Sequence, residues 1–105
     1  MRSIVRPIHP GTDYTTCYIC GSRAEHTHHC WHGTANRQLS DADGLTVRLC
    51  WECHRLLHDQ GYYDRTLMRL AEWDWIRVYG TEQEFIERYG KSVLDGREDP
   101  REEEA

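Results

Sequence analysis

The chain has 105 residues, 38% hydrophobic and 30% charged, with one Phe, two Met and a formal net charge of -5. This length holds one small domain and excludes two independent cores, and so few large apolar side chains leave a thin core that needs a staple. No apolar run approaches the roughly 18 residues that cross a bilayer, and the start has no apolar stretch of the secretory kind, so a soluble, cytoplasmic protein is expected.

Residues 1–13 hold Pro7, Pro10 and Gly11 and read as an extended arm. Residues 15–22 read as a short strand turning through a cysteine knuckle, and residues 24–30 as a second short strand. Residues 31–44, rich in Gly, Ser, Asn and Asp, read as a turn-rich loop. Leu45, Val47 and Leu49 alternate with polar residues and predict a third strand. From Cys50 no breaker intervenes before Gly61, which predicts a helix.

Two more helices follow. In residues 62–80 the set Leu67, Leu70, Ala71, Trp73, Trp75, Ile76 and Tyr79 gives a broad apolar face, its tryptophans assigned to the core. Thr81 and Glu84 then have the spacing of a capping box and open a helix through Phe85, Ile86 and Tyr89 that stops at Gly90. Residues 1–60 balance six Arg against six acids, so the whole acidic excess lies in residues 61–105. It is concentrated in residues 93–105, which read as a solvated, disordered acidic tail.

The cysteines number five, and an odd count without a secretory signal favours metal over a disulfide framework. Cys17-x-x-Cys20 and Cys50-x-x-Cys53 are two knuckles, each presenting two thiolates at the spacing tetrahedral zinc needs. A closed four-thiolate shell leaves no position for water, so this zinc is structural. Cys30 is then either a buried small hydrophobe or an extra soft ligand.

Six of the seven histidines fall between residues 26 and 58. His54 and His58, four apart on the predicted helix, project from one face and can reach one metal. His28 and His29 are neighbours on a predicted strand and point to opposite faces, so one of them joins that metal and the other is free as an acid or base. His26 and His32 belong to the site edge or to solvent, and His9 is incidental. Arg37 and Arg55 flank these residues and are candidates for contact with a substrate phosphate.

The order Cys17-x-x-Cys20, His28-His29, Asn36, Cys50-x-x-Cys53-His54-x-x-x-His58 resembles the HNH nucleases, also called ββα-metal or His-Me finger endonucleases, in their zinc-stabilised, small phage-type form. The resemblance implies an α+β fold, with a ββα-metal core over residues 14–60 built from a short β-hairpin and a helix. Two C-terminal helices over residues 61–92 and the tail complete it. It makes His29 the general base and Asn36 the residue that braces the loop and orients that base. It also makes His28, His54 and His58 the ligands of a catalytic divalent ion (Mn²⁺, Mg²⁺, Ni²⁺, Co²⁺ or Zn²⁺).

The activity it implies is hydrolysis of DNA phosphodiesters, on double-stranded DNA, without a membrane. The acidic balance disfavours tight unaided DNA binding and points to recruitment by a protein partner or to a homodimer. The alternative is a non-catalytic zinc module that binds nucleic acid or protein, which would have no use for the second imidazole cluster.

Overall fold

The computed structural model describes residues 15–94 and 96. Residues 1–13 and most of the acidic tail, His9 included, lie outside the described residues. The elements run β1 (His26–His29), α1 (Thr34–Asp43), β2 (Thr46–Leu49), α2 (Trp51–Gln60), α3 (Asp64–Val78) and α4 (Glu82–Tyr89). This is a small α+β fold. None of these helices is long and apolar enough to cross a membrane.

β1 and β2 form an antiparallel pair in which His26 faces Leu49, Thr27 faces Arg48, His28 faces Val47 and His29 faces Thr46. Alternation along β1 therefore puts His26 and His28 on one face and Thr27 and His29 on the other. The first face receives α2: the His26 and His28 rings lie 5.0 and 5.6 Å from the ring of His54. The second is met by α1, from which Asp41 reaches His29.

Two sequence expectations are corrected. Residues 15–22 form no strand but a turn, in which Cys17 N–H donates to Ser22, Gly21 N–H to Cys17 and Tyr18 N–H to Arg48 of β2. Only an isolated bridge from Thr16 to Arg23 remains of the expected pairing, because the knuckle turns back too soon to extend a ladder. The expected loop over residues 31–44 is largely helix α1. Its inner face is polar, with Ser40, Asp41 and Asp43 all buried, so hydrophobic periodicity is silent there.

Those polar groups are all paired. Ser40 Oγ donates to the Trp31 carbonyl at 2.7 Å. Asp43 accepts from Trp75 Nε1, from Arg88 Nε and Nη2 and from the Tyr89 hydroxyl, at 2.6 to 2.9 Å. One carboxylate thus ties the end of α1 to α3 and α4. Gly44 closes α1 in the left-handed conformation (φ 79°), which a Cβ would oppose.

The remaining helices form as expected. Gly61 ends α2, Thr81 and Glu84 make the reciprocal capping box of α4, and Gly90 ends it. The core is aromatic: Trp31, fully buried on the segment after β1, meets Phe85 edge-on at 4.9 Å and Tyr89 at 5.5 Å. Trp75 closes on Phe85 from α3 at 5.4 Å. Val93 and Leu94, where the acidic segment begins, are buried, and Glu72 of α3 accepts from the Ser92 hydroxyl and Val93 N–H.

Candidate metal centres and the histidine cleft

Two groups of ligand side chains converge on α2, one at its N-terminus and one from the next residue onward. The first is Cys17, Cys20, Cys50 and Cys53, whose sulfurs all lie within 4.8 Å of one another. The knuckle turn supplies the first pair; Cys50, the N-cap of α2, and Cys53, in its first turn, supply the second. Three are buried and Cys20 is exposed.

The surroundings favour thiolate at two of the four. A bond with the Ser22 hydroxyl, first among several, lowers the Cys20 thiol to about 6. The Cys53 N–H does the same in direction for Cys50, while burial pushes Cys53 up. Four converging sulfurs form a donor set suited to structural zinc. Cys30 is not part of this set: it is fully buried in the hydrophobic core, and burial raises its thiol.

The second group is His28, His54 and His58, whose ligand nitrogens also lie within 4.8 Å of one another. The Nε2 atoms of His54 and His58, one helical turn apart, approach to 3.0 Å. His28 points at them from β1, its ring 5.8 Å from that of His58. It is 2% exposed, and its Nε2 has no hydrogen-bond partner. Burial, then the neighbouring imidazoles His54, His58, His32 and His29, lower its pKa to about 3, so it is neutral at physiological pH.

A buried imidazole nitrogen without a partner costs on the order of 1–3 kcal/mol. A cation shared with His54 and His58 would satisfy it, and imidazole nitrogen is a donor of the kind divalent transition metals take. The residues therefore fit a metal. Burial also lowers His54, ahead of the like charges of His58 and His26.

Around this group opens a cleft of about 890 Å³, lined by the three imidazoles together with His29, His32, Arg37 and Asp41, among others. His29 Nε2 is 2.7 Å from Asp41 Oδ1. On the far side, His32 Nε2 is 3.0 Å from Asp64 Oδ1 at the start of α3. The expected residues divide accordingly. His28, His29, His54, His58 and Arg37 share the cleft.

Asn36 stands half-buried on α1 and is not among the lining residues. Arg55 faces elsewhere: it lies over the Trp51 ring at 5.3 Å and 3.8 Å from Asp59. Asp41 is the site residue that sequence reasoning misses, and its one local signal is its place two residues before the Asp-Gly end of a helix. Compared with family models, with curated proteins and with solved structures, the chain has no match.

Proposed function

We propose that the chain is a zinc-stabilised, divalent-metal-dependent endonuclease that hydrolyses DNA phosphodiesters. The observation that carries this reading is the juxtaposition of His28, His54 and His58 with the His29–Asp41 pair in one cleft. A metal-binding module alone has no use for an imidazole held beside the ligand group by a carboxylate.

His29 is the general base. Its Nε2 is engaged by Asp41, which leaves Nδ1 as the nitrogen that accepts a proton from water while the water oxygen attacks phosphorus, the P–O bond to the departing sugar oxygen breaks and that oxygen takes a proton from solvent. Asp41 fixes the ring orientation and stabilises the imidazolium that forms. Arg37, exposed on the cleft wall, offers a guanidinium to a non-bridging phosphate oxygen. A divalent ion held by His28, His54 and His58 would supply Lewis-acid stabilisation of charge on the phosphate.

The role that the HNH resemblance gives Asn36, orienting the base, is taken in this reading by Asp41. The test is cleavage of plasmid DNA by the zinc-loaded protein with and without added Mn²⁺. Metal-dependent cleavage that disappears in His29→Ala, with metal affinity retained, is the expected result. A chain that binds metal in the cleft but never cleaves is a binding module.

A further inference from the structure

The turn between α2 and α3 holds the least favourable backbone in the described residues. Tyr63 is their one non-glycine residue with positive φ (68°, with ψ 0°). Left-handed backbone is disfavoured for any residue with a Cβ and is a marked outlier for a bulky one. Tyr63 is also the N-cap of α3, where Ser, Thr, Asp or Asn would accept a backbone N–H and where this residue makes no side-chain cap bond.

Burial offsets only part of this. Tyr62 is 51% and Tyr63 39% exposed, their rings 5.8 Å apart. A strained position without a side-chain cap that leaves two aromatic rings partly exposed is the kind of outlier that points to a contact role.

Both ends of this turn are anchored at the histidine cleft. His58, in the last turn of α2, belongs to the metal group. Asp64, the first residue of α3, takes His32 Nε2 at 3.0 Å, and His32 lines the cleft. The tyrosines therefore stand between a ligand-bearing helix and a contact to the cleft wall.

The charge balance indicates what they meet there. The chain carries a net charge of -5, and the cleft lining includes one guanidinium, Arg37. Affinity for a polynucleotide through neutralised phosphates is correspondingly limited. Stacking on aromatic rings needs no charge and tolerates any base, but it needs a base whose face is free. Within a duplex both faces are covered.

Resting on the reading of the cleft as a phosphodiester-cleaving site, we infer that Tyr62 and Tyr63 form a stacking subsite for an unpaired nucleobase beside the cleaved phosphate. The substrate class is then a single-stranded or locally melted polynucleotide, the melted segments of a supercoiled plasmid included, rather than fully paired duplex.

The test measures binding apart from turnover. Zinc-loaded full chain carrying His29→Ala, which leaves the probe intact, is titrated by fluorescence anisotropy with a short labelled oligothymidylate and with the same strand annealed to its complement. The single strand binds about ten-fold or more tighter, and adding Tyr62→Ala with Tyr63→Gly removes about ten-fold or more of that affinity without changing duplex binding. Gly at 63 accepts the positive φ, so thermal melting should be preserved; Tyr62→Ala alone repeats the test if it is not. Tyr62→Phe keeps the affinity, because the ring and not the hydroxyl stacks.

Equal affinity for the two probes overturns the inference, as do unchanged single-strand binding in the double variant and loss in Tyr62→Phe matching that in Tyr62→Ala. Tyrosine-dependent binding by a wild-type chain that never cleaves supports the subsite and defeats the hydrolase. Cleavage with binding indifferent to both tyrosines defeats the subsite alone.

Discussion

His29 and Asp41 stand twelve residues apart in the chain and 2.7 Å apart in the fold, the imidazole on β1 and the carboxylate on α1. The contact engages Nε2 and leaves Nδ1 for the base role proposed above. Asp41→Asn removes the charge that stabilises an imidazolium and keeps the shape. It should slow cleavage by about ten- to a hundred-fold, within the range of general acid–base contributions, while divalent-metal affinity and thermal stability stay near wild type. Cleavage rates beside a calorimetric metal titration decide it, and an equal loss of metal binding would assign Asp41 to the metal group instead.

The four-cysteine group should hold one zinc per chain, and removing that zinc should unfold the protein. Cys50 and Cys53 open α2, the helix that also carries His54 and His58, so both centres depend on the same first turn. Structural zinc contributes about 10–16 kcal/mol in small zinc-finger peptides, which is comparable with the whole stability of a domain, about 5–15 kcal/mol. Metal analysis of the purified chain, followed by circular dichroism with a strong chelator, checks this. A chelated, zinc-free chain that still melts cooperatively would contradict it.

Ligand positions are legible in the sequence because their geometry is local. A CxxC turn and an i, i+4 pair set their own ligand separations whatever the rest of the fold does, and the alternation of β1 separates His28 from His29. Helix α1 is illegible for the opposite reason. Its inner face includes Ser40, Asp41 and Asp43, whose partners Trp31, His29, Trp75, Arg88 and Tyr89 all lie outside the helix. No spacing within residues 31–44 announces those bonds, so its polar residues read as a loop. The same blindness hides Asp41, while Asn36 is offered for the bracing role only by the HNH resemblance.

Asp43 should be the most sensitive polar residue in the fold. It is 7% exposed and receives four donors, from Trp75, Arg88 and Tyr89. The Tyr89 hydroxyl is raised by burial first and by this bond second, and the bond to Asp43 leads the causes that raise Arg88. Asp43→Ala leaves a buried indole N–H and a buried phenol without an acceptor and a guanidinium without its partner, at a cost of about 3–5 kcal/mol. Denaturant unfolding monitored by tryptophan fluorescence should show a loss of that order. A loss below about 1 kcal/mol would mean that α1 does not depend on this junction.

Stability should fall with acid, and His28 should account for part of the fall. Its folded pKa lies near 3, below the ordinary value of 6.5, so the native protein binds fewer protons than the unfolded chain between those limits. Unfolding free energy then rises with pH across that window, and stability is lost as pH falls from about 6.5 toward 3, by at most about 1.4 kcal/mol per pH unit for one group. A metal on the same imidazole would be displaced by the same protons, in the same direction. Denaturant melts at pH 7 and pH 5 should show a smaller loss for His28→Gln, which cannot titrate, than for wild type. Equal losses would place the acid sensitivity elsewhere.

Metal preference follows from the donor atoms. His28, His54 and His58 offer three imidazole nitrogens; Asp41, the carboxylate among the cleft-lining residues, is engaged by His29, and Asp64 by His32. Mg²⁺ favours hard oxygen donors and gives up its waters reluctantly, whereas imidazole suits Mn²⁺ less than Co²⁺ or Ni²⁺ but better than it suits Mg²⁺. Co²⁺, Ni²⁺ and Mn²⁺ should therefore bind more tightly than Mg²⁺ and support cleavage at lower concentration. Zn²⁺ should bind tightly yet inhibit when it fills a tetrahedral shell. His54→Ala removes the middle donor of the set and should weaken binding by at least about ten-fold, since even the partners of a ligand are worth that much. A calorimetric series on zinc-loaded protein, run beside cleavage at matched free metal, tests both statements; tighter binding of Mg²⁺ than of Mn²⁺ would mean that carboxylate oxygens, freed from His29 or His32, enter the metal group.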